Sequence, residues 1–390
     1  MLNEYELEKY LYRYAVRMDD FVTFVLTTTA SRVESNDHIG SVDKFSSLNE
    51  SFKSSHDRNE IKKAYDNLKK EQIRALKDDL WAIAAFTFAE LKPLYDYNVG
   101  TLKANPELSA EVTKQINNSA TELYTLMSTP VFVLDGKNMS PESAYTVIVN
   151  DAIQNKPLKG SIKSMRSALN RLYDAPFKFV TNLSDSKDKA IVDANKTLRM
   201  NVLSNIKNVI ETINENVKKQ VKGDGVELSA HMFPAPDHAP AQGHQFSNEE
   251  FEKMQSGQDF VDVQGNKYMG FPRQIGQWNC RHYVKPIKIG KTKPEHTDKE
   301  LKKILDDNEK GFTTSDGKHY TLYECTQLQR EFERNIREHK EKYIIASELK
   351  DKVKMAEHRG KVGELTRQYK LFSSMCGIPA KLERIRVKNY

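Results

Sequence analysis

The sequence predicts an α+β protein that is mostly α-helical. It should have an N-terminal helical region with a long helix, a compact irregular β-containing central module, and a C-terminal antiparallel helical hairpin. Two observations predict this fold class. Apolar residues recur every three or four positions in the N-terminal and C-terminal parts, as in helices with one buried face. Residues 226–290 instead concentrate glycine and proline, which are typical of turns and short strands and not of helix.

The N-terminal helical region spans residues 1–180. Its first helix should cover residues 4–26, where one apolar stripe keeps helical spacing. The Ser- and Asp-rich residues 31–59 predict a loop. A second helix should follow and end near Pro93, which has no N–H for the next backbone bond. A shorter helix is expected over residues 110–126.

A strand, a helix start and the long helix come next. Residues 130–134 are apolar and precede Asp135-Gly136, a turn sequence, so they predict a short strand. Ser140 is followed by Pro and Glu, a pattern typical of a helix N-terminus. The segment 181–224 should hold an amphipathic helix of about 35 residues, which glycines end.

The C-terminal region, residues 296–390, should contain a β-hairpin and two helices. Asp316-Gly317 lies between short extended runs and predicts the hairpin turn. Thr321 and Glu324 have the spacing of a capping box, in which each side chain binds a backbone N–H of the first helical turn. A second helix over residues 349–374 should pack against the first and complete the helical hairpin.

Composition places the chain among globular proteins. Hydrophobic residues make up 38% and charged residues 29%, which is too apolar for wholesale disorder and too polar for a membrane protein. No stretch approaches the roughly 20 apolar residues of a membrane span, and the N-terminus has no hydrophobic signal core. We therefore expect synthesis in the cytoplasm. The three cysteines are odd in number and far apart, which argues against a disulfide framework.

The net charge of +6 is small for a dedicated nucleic-acid-binding protein. The one local surplus of basic residues lies at the C-terminus. Its members are Lys381, Arg384, Arg386 and Lys388. This run is either a solvated tail or an arm that contacts nucleic-acid phosphates.

The central module, residues 225–295, carries several side chains of the kinds that bind zinc. These are His231, His238, His244, Cys280 and His282. Cys280 and His282 are two positions apart, so an extended strand would place both on one face. The alternative is that the histidines are hydrogen-bonded structural residues and that Cys280 is a small buried one.

A catalytic interpretation depends on a few acids near these histidines. Asp237 beside His238, with Glu227 nearby, could supply a base and the group that orients it. The sequence contains no Gly-x-Ser-x-Gly elbow, phosphate loop or His-Glu-x-x-His motif. We therefore expect no enzyme, and a metal-dependent hydrolase is the alternative.

Two blocks of residues stand in a specific order. The first includes Asp237, Gln242, Gly243, Asn279 and Arg281, interleaved with the histidines and Cys280. The second comprises Gln327, Gln329, Arg330, Glu333, Arg334 and Arg337. Together they resemble the tailed-phage minor capsid proteins of the minor capsid protein 2 type, which are related to the Mu F-like head-morphogenesis proteins. The resemblance covers about residues 198–387. It departs at Ala235, where the family usually has arginine, and at Ala241, where an aromatic residue is common.

The resemblance implies a structural protein of the phage head. Its expected partners are the portal protein, the major capsid or scaffold protein, and packaged DNA, with no membrane span. Its expected location is the interior of the head of the virion, where it would act in head assembly or in DNA packaging or ejection. The related Mu F-like group implies a metal at the Cys and His positions, zinc being the candidate. The alternative hydrolase would then be an enzyme carried in the virion.

Overall fold

Long helices make up most of the structure. A computed structural model describes residues 4–35, 44–98, 103, 106–154, 167, 169–172, 174–182, 189–261, 265–276, 280–387 and 390. The principal helices are α1 (Glu4–Ser35), α2 (Lys44–Asn98), α3 (Pro106–Leu126), α4 (Pro141–Gln154), α5 (Ala194–Val221), α6 (Asn248–Gln255), α7 (Asp298–Lys310), α8 (Leu322–Glu348) and α9 (Lys352–Met375). A 3₁₀ turn at Leu382–Ile385 follows them. The mostly helical α+β fold class is confirmed.

The strands form small antiparallel sheets. They are β1 (Pro130–Leu134), β2 (Lys137–Met139), β3 (Phe177–Asn182), β4 (Lys189–Asp193), β5 (Gly225–Leu228), β6 (Gln245–Ser247), β7 (Phe260–Val261), β8 (Lys267–Tyr268), β9 (Val284–Ile287), β10 (Phe312–Thr313) and β11 (His319–Tyr320). One sheet has the order β2-β1-β3-β4 and another β6-β5-β9, and β7-β8 and β10-β11 are two-stranded.

The largest core lies between α1, α2, α3, α4 and α5. The predicted stripe on α1 is buried, with Tyr14, Met18 and Val25 at 0% exposure. Burial of such a side chain contributes about 1.5–3 kcal/mol. Helix α5 contacts α2 and α3 in this core, and it also contacts strand β9 of the central module. The long helix therefore joins the helical core to the central module.

The end of α5 and the start of β5 determine how the module is attached. Lys222 adopts a left-handed conformation with φ 51°, and its N–H binds the carbonyls of the last helical turn. Gly225 begins β5, where a Cβ atom would lie 2.6 Å from the carbonyl oxygen of Phe246. Because only glycine allows this approach, Gly225 brings β5 and β6 into register directly after the helix.

The C-terminal helical hairpin is confirmed. Thr321 accepts a hydrogen bond from the Glu324 N–H, and the Glu324 carboxylate accepts one from the Thr321 N–H, so the predicted capping box is present. Helices α8 and α9 pack antiparallel around Ile336 and Tyr369, both fully buried. The predicted hairpin around Asp316-Gly317 is β10-β11. Among the described helices, none has the length and apolar character that a bilayer crossing needs.

Two predictions in the N-terminal half are wrong about where helices begin or end. The loop expected over residues 31–59 is largely helical, since α1 continues to Ser35 and α2 begins at Lys44. Helix α2 passes Pro93 and ends at Asn98, although proline removes one backbone bond. Once a helix has formed, each added residue gains a hydrogen bond, so weak helix formers are included at its ends.

Two further predictions are corrected. The long helix begins at Ala194 and not at 181, because Phe177–Asn182 and Lys189–Asp193 form β3 and β4. The central module was expected to lack helix, yet it contains α6. The start of α6 is marked in the sequence by a second capping box, formed by Ser247 and Glu250. The prediction of a strand over residues 130–134 is confirmed, and Asp135 and Gly136 have the positive φ of a tight turn.

Candidate functional site

Strands β5 and β9 and the turn between β5 and β6 bring the predicted ligands together. The turn contains His238, whose N–H binds the Ala235 carbonyl and whose carbonyl accepts from the Gln242 N–H. Gly243, at φ 73°, then returns the chain to β5 by donating its N–H to Leu228 O at 2.7 Å. Cys280 and His282 lie just before β9, which pairs with β5. Residues about 40 positions apart therefore meet beneath the turn.

Three ligand atoms converge in a buried cluster, which we call the Cys/His cluster: His238, Cys280 and His282. Cys280 Sγ lies 3.7 Å from His238 Nδ1 and 3.8 Å from His282 Nδ1. All three ligand atoms lie within 4.8 Å of one another. The side chains are buried, at 0%, 1% and 3% exposure for His238, Cys280 and His282.

The orientation of His238 is set by the backbone. Its Nε2 lies 2.6 Å from the Arg273 carbonyl oxygen, to which it can only donate. The other ring nitrogen, Nδ1, faces Cys280. Arg273 also holds Asp237 with two hydrogen bonds, of 2.8 and 3.0 Å. Histidines that bind a metal usually donate their other ring N–H to a backbone carbonyl or a carboxylate, as His238 does here.

The remaining two histidines lie outside the cluster of three. The His231 ring contacts the His282 ring at 4.4 Å between centroids, and its backbone N–H binds the Gln242 side chain at 2.8 Å. The His244 ring contacts Phe246 and Tyr268 instead. The structure therefore places His231 next to the Cys/His cluster and His244 in the aromatic core of the module.

The surroundings of the cluster lower the pKa values of Cys280, His231 and His282. Burial raises the pKa of the Cys280 thiol, but the hydrogen bond with His238 and the charge of Lys207 outweigh it and lower the pKa to about 7. Burial, with the charges of Lys207 and His238, lowers the pKa of His231 to about 4. Burial also lowers the pKa of His282 well below its ordinary value. Thiolate and neutral imidazole are the protonation states that bind metal.

The cluster fits a zinc ion. Zinc–sulfur and zinc–nitrogen bonds of about 2.3 and 2.0 Å in a tetrahedron separate the ligand atoms by about 3.5 Å. The two Cys280 distances, 3.7 and 3.8 Å, are close to this value. His238, Cys280 and His282 would hold the ion. It would supply a cross-link between the turn and the strand or, with a fourth position open, a Lewis acid.

The acids considered for catalysis are engaged elsewhere. Asp237 is held by Arg273, and its carboxylate lies 3.6 Å from His238 Nε2. Glu227 is buried, and accepts hydrogen bonds from the Gln245 side chain and from the Glu295 N–H. Asp237 approaches His238 at Nε2 and not at the Nδ1 atom that faces Cys280, so the positions of the two carboxylates favour roles in holding the module together.

A second group of charges lies beside the Cys/His cluster, and sequence reasoning missed its centre. Glu8 of α1, at 4% exposure, accepts hydrogen bonds from the side chains of Arg199, Arg281 and Arg330, and it lies 3.5 Å from Arg384. We call Glu8 and these four residues the Glu8 cluster. The signal in the sequence is an acid directly beside Leu7 on the buried face of α1, where an unpaired carboxylate would be costly.

The second motif block supports this cluster and the helical hairpin. Glu333 accepts a hydrogen bond from the Tyr369 hydroxyl at 2.8 Å, and Gln329 donates to Ser373 at 2.8 Å. Arg337 donates to the Arg384 carbonyl at 2.8 Å. Gln327 accepts from Arg330, whereas Arg334 is exposed.

The predicted nucleic-acid arm folds back on the protein in part. Arg384 belongs to the Glu8 cluster, and it also lies 3.7 Å from Glu333. Lys381 is half-buried, and Arg386 is exposed. Lys388 lies outside the described residues, as does Asn279 of the first motif block.

Comparisons with known proteins identify the family. The family model described as phage minor capsid protein 2 matches residues 48–372, which is most of the chain and includes both motif blocks. No significant match was found among curated proteins or among solved structures. A match of this extent covers the helical core apart from α1, the central module and most of the C-terminal hairpin. The chain therefore belongs to the phage minor capsid protein 2 family, whose members are structural proteins of the phage capsid.

Proposed function

We propose that the protein is a minor component of the phage head that docks on the portal protein inside the shell and acts in head assembly or DNA packaging. The observation that carries the docking role is an exposed apolar stripe on α2. Its members are Trp81, Ala82, Ala85, Phe86 and Ala89. They recur at helical spacing, opposite the buried Leu80, Ile83 and Leu91. Trp81 is 44% exposed and Phe86 37%.

An exposed apolar stripe of this kind is a suitable surface for binding another protein. Contiguous apolar residues on a surface mark interaction sites, and tryptophan is among the residues that contribute most to binding. Helix α2 has 55 residues and so spans about 80 Å. A helix of this length can present the stripe to a ring-shaped partner, while its other face stays in the core.

The docking proposal predicts that charge on the stripe abolishes portal binding. The double variant Trp81→Glu, Phe86→Glu keeps good helix formers on α2 but adds two carboxylates to the apolar surface. We expect it to remain folded by circular dichroism and to lose co-purification with portal rings. Val353→Glu, at a position 76% exposed on α9, is the matched control. Unchanged portal binding by the double variant would contradict the proposal.

Packaged DNA would contact the protein through a small basic surface. Because Arg384 is held by Glu8 and Glu333, the exposed Arg386 is the described tail residue that supports this role. Such contacts are weak and depend on salt. We expect DNA binding at low salt to weaken in Arg386→Gln, as measured by fluorescence anisotropy. The major capsid or scaffold protein remains the other proposed partner.

We also propose that the Cys/His cluster binds zinc as a structural ion. The support is the convergence of Cys280 with two buried imidazoles, one of which is oriented by the Arg273 carbonyl. Elemental analysis of purified protein should find about one zinc per chain, and Cys280→Ser should lose the metal and lower the melting temperature. Cys376→Ala, at the end of α9 and outside the Cys/His cluster, should keep the metal. Wild-type protein without zinc after purification in zinc-containing medium would contradict the proposal.

The alternative function, a metal-dependent hydrolase carried in the virion, makes a different prediction. A catalytic zinc keeps one position open for water and needs a nearby base. Spectroscopy of cobalt-substituted protein distinguishes the two, because a closed site gives a spectrum that does not change when small anions are added. An open position together with hydrolysis lost in His238→Ala would favour the enzyme.

A further inference from the structure

A cavity lies where α5, the central module and α8 meet. Its volume is about 80 Å³, several times what one water molecule needs. Arg199 lines it from α5, Arg273 and Arg281 from the module, and Arg330 from α8. Among the described residues that line the cavity, none is an Asp or a Glu. The wall therefore concentrates positive charge in a confined space.

Several buried nitrogen atoms of residues that line the cavity have no hydrogen-bond partner within the described structure. They are Nε of Arg199, Nε of Arg330, Nε2 of His231 and Nε2 of His282. The two arginine atoms are N–H donors at any accessible pH. A buried donor without an acceptor costs free energy, so a molecule that supplies acceptor oxygens would be stabilised in this cavity.

The Glu8 cluster leaves the positive charge incompletely balanced. Arg199, Arg281, Arg330 and Arg384 share the carboxylates of Glu8 and Glu333. Glu8 accepts from the Nη2 atoms of Arg199 and Arg330, while the Nε atoms of the same guanidinium groups stay unused. One carboxylate thus satisfies the Nη2 atoms, whereas no carboxylate is among the described residues that line the cavity.

We propose that this cavity binds a phosphate-type tetrahedral oxyanion, either inorganic phosphate or the terminal phosphate of a nucleotide chain. Guanidinium groups match the oxygens of phosphate in geometry and charge, and charge-assisted bonds of this kind are strong. The volume admits one phosphoryl group. This proposal is independent of portal docking, since the cavity lies between elements of one chain and does not include the α2 stripe.

Thermal unfolding in different salts tests the proposal. Sodium phosphate should raise the melting temperature of the wild-type protein above that in sodium chloride of equal ionic strength, because a ligand of the native state stabilises it by mass action. Equal melting temperatures in the two salts would overturn the proposal. Titration with a 5′-phosphorylated single-stranded oligonucleotide and its dephosphorylated form identifies the source. Preference for the phosphorylated form assigns a nucleotide terminus, and a response to inorganic phosphate alone assigns the free ion.

Variants that leave every arginine in place separate binding from folding. Ala235 lines the cavity and has no charge, so Ala235→Glu would place a carboxylate there in competition with phosphate. We expect phosphate affinity to fall by at least about tenfold, as measured by calorimetry. Ala110→Glu, on the exposed face of α3, is the matched control and should bind normally. Unchanged affinity in Ala235→Glu would overturn the proposal.

A variant of Glu8 should change the phosphate affinity in the opposite direction. Glu8→Gln removes the internal carboxylate and leaves the guanidinium groups with less compensation, so phosphate should bind more tightly than to the wild type. Should Ala235→Glu fail to fold, Ala235→Leu fills the cavity without charge and must also lose phosphate binding. A Glu8→Gln protein that folds and binds phosphate more weakly than the wild type would count against the site.

Discussion

Glu8 is a single acid that four arginines surround. Burial raises the pKa of its carboxyl group, but the charges of Arg199, Arg330 and Arg384 outweigh burial and lower the pKa below its ordinary value. The carboxylate is therefore ionised under ordinary conditions. Removing one partner of a buried ion pair leaves an uncompensated charge, which is strongly destabilising.

Glu8→Gln should lower the free energy of unfolding at pH 7 by about 3 kcal/mol. Because the pKa is lower in the folded protein, Glu8 contributes its stability above the unfolded pKa of about 4.3 and loses it as the pH falls through the folded value. Urea unfolding at pH 7 and at about pH 3 should therefore show a difference from wild type that shrinks in acid. Glu383→Gln, an exposed acid in the nearby 3₁₀ turn, is the control. A difference that does not change with pH would contradict this account.

Helices α8 and α9 also meet through two histidines. Nδ1 of His339 lies 3.2 Å from Nδ1 of His358, so one ring must donate and the other accept. Burial and the charges of His339, Lys342 and Lys354 lower the pKa of His358, against the opposing effect of Glu357. The folded hairpin therefore binds a proton at His358 less readily than the unfolded chain does, and acid destabilises this contact.

The hairpin should loosen as the pH falls through the unfolded histidine pKa of about 6.5. Hydrogen exchange, corrected for the intrinsic effect of pH, should show less protection in α8 and α9 at about pH 5.5 than at about pH 7.5. His358→Gln should remove most of this dependence, and His56→Gln on α2 should not. Equal protection of the wild-type hairpin at both pH values would show that protonation of the histidine pair does not destabilise the hairpin.

At the level of elements, the sequence predicts where helices exist better than where they end. The capping box at Thr321 was found because its Thr-x-x-Glu pattern stands before a clear apolar stripe. Ser247 and Glu250 have the same pattern, but α6 has only eight residues, too few for the stripe to show. The boundary of α5 was misplaced because residues 189–193 pair with β3, a long-range contact that local propensity does not contain.

Across the whole molecule, contacts join segments that are far apart in sequence. The Glu8 cluster unites α1, α5, the central module, α8 and the 3₁₀ turn, and the Tyr12 hydroxyl donates to the Glu383 carbonyl at 2.6 Å. The Cys/His cluster was predictable in part, since Cys280 and His282 are two positions apart and three histidines lie close in sequence, but His231 and His244 lie outside it. The role of Glu8 was not predictable, because neither the spacing of apolar residues nor a sequence motif indicates which distant arginines will surround a buried acid.

Deleting residues 381–390 should destabilise the N-terminal helix as well as the C-terminal end. The deletion removes Arg384 from the Glu8 cluster and Ile385, at 5% exposure, from the hairpin core. The free energy of unfolding should fall by at least about 2 kcal/mol, and limited proteolysis should reach α1 sooner. Deleting residues 387–390 is the matched control, because it keeps both side chains. Equal resistance of α1 in the two deletions would contradict the coupling.

The order of synthesis gives the Glu8 cluster a further consequence. The ribosome makes Glu8 long before Arg384, so α1 acquires its last guanidinium partner only after α8 and α9 have been synthesised. A chain that is released before Arg384 is made would have a buried Glu8 carboxylate with one arginine partner fewer. Its first helix would therefore be less stable. Shortened products should thus be recognised by cellular proteases before they compete with intact subunits for places in a growing particle.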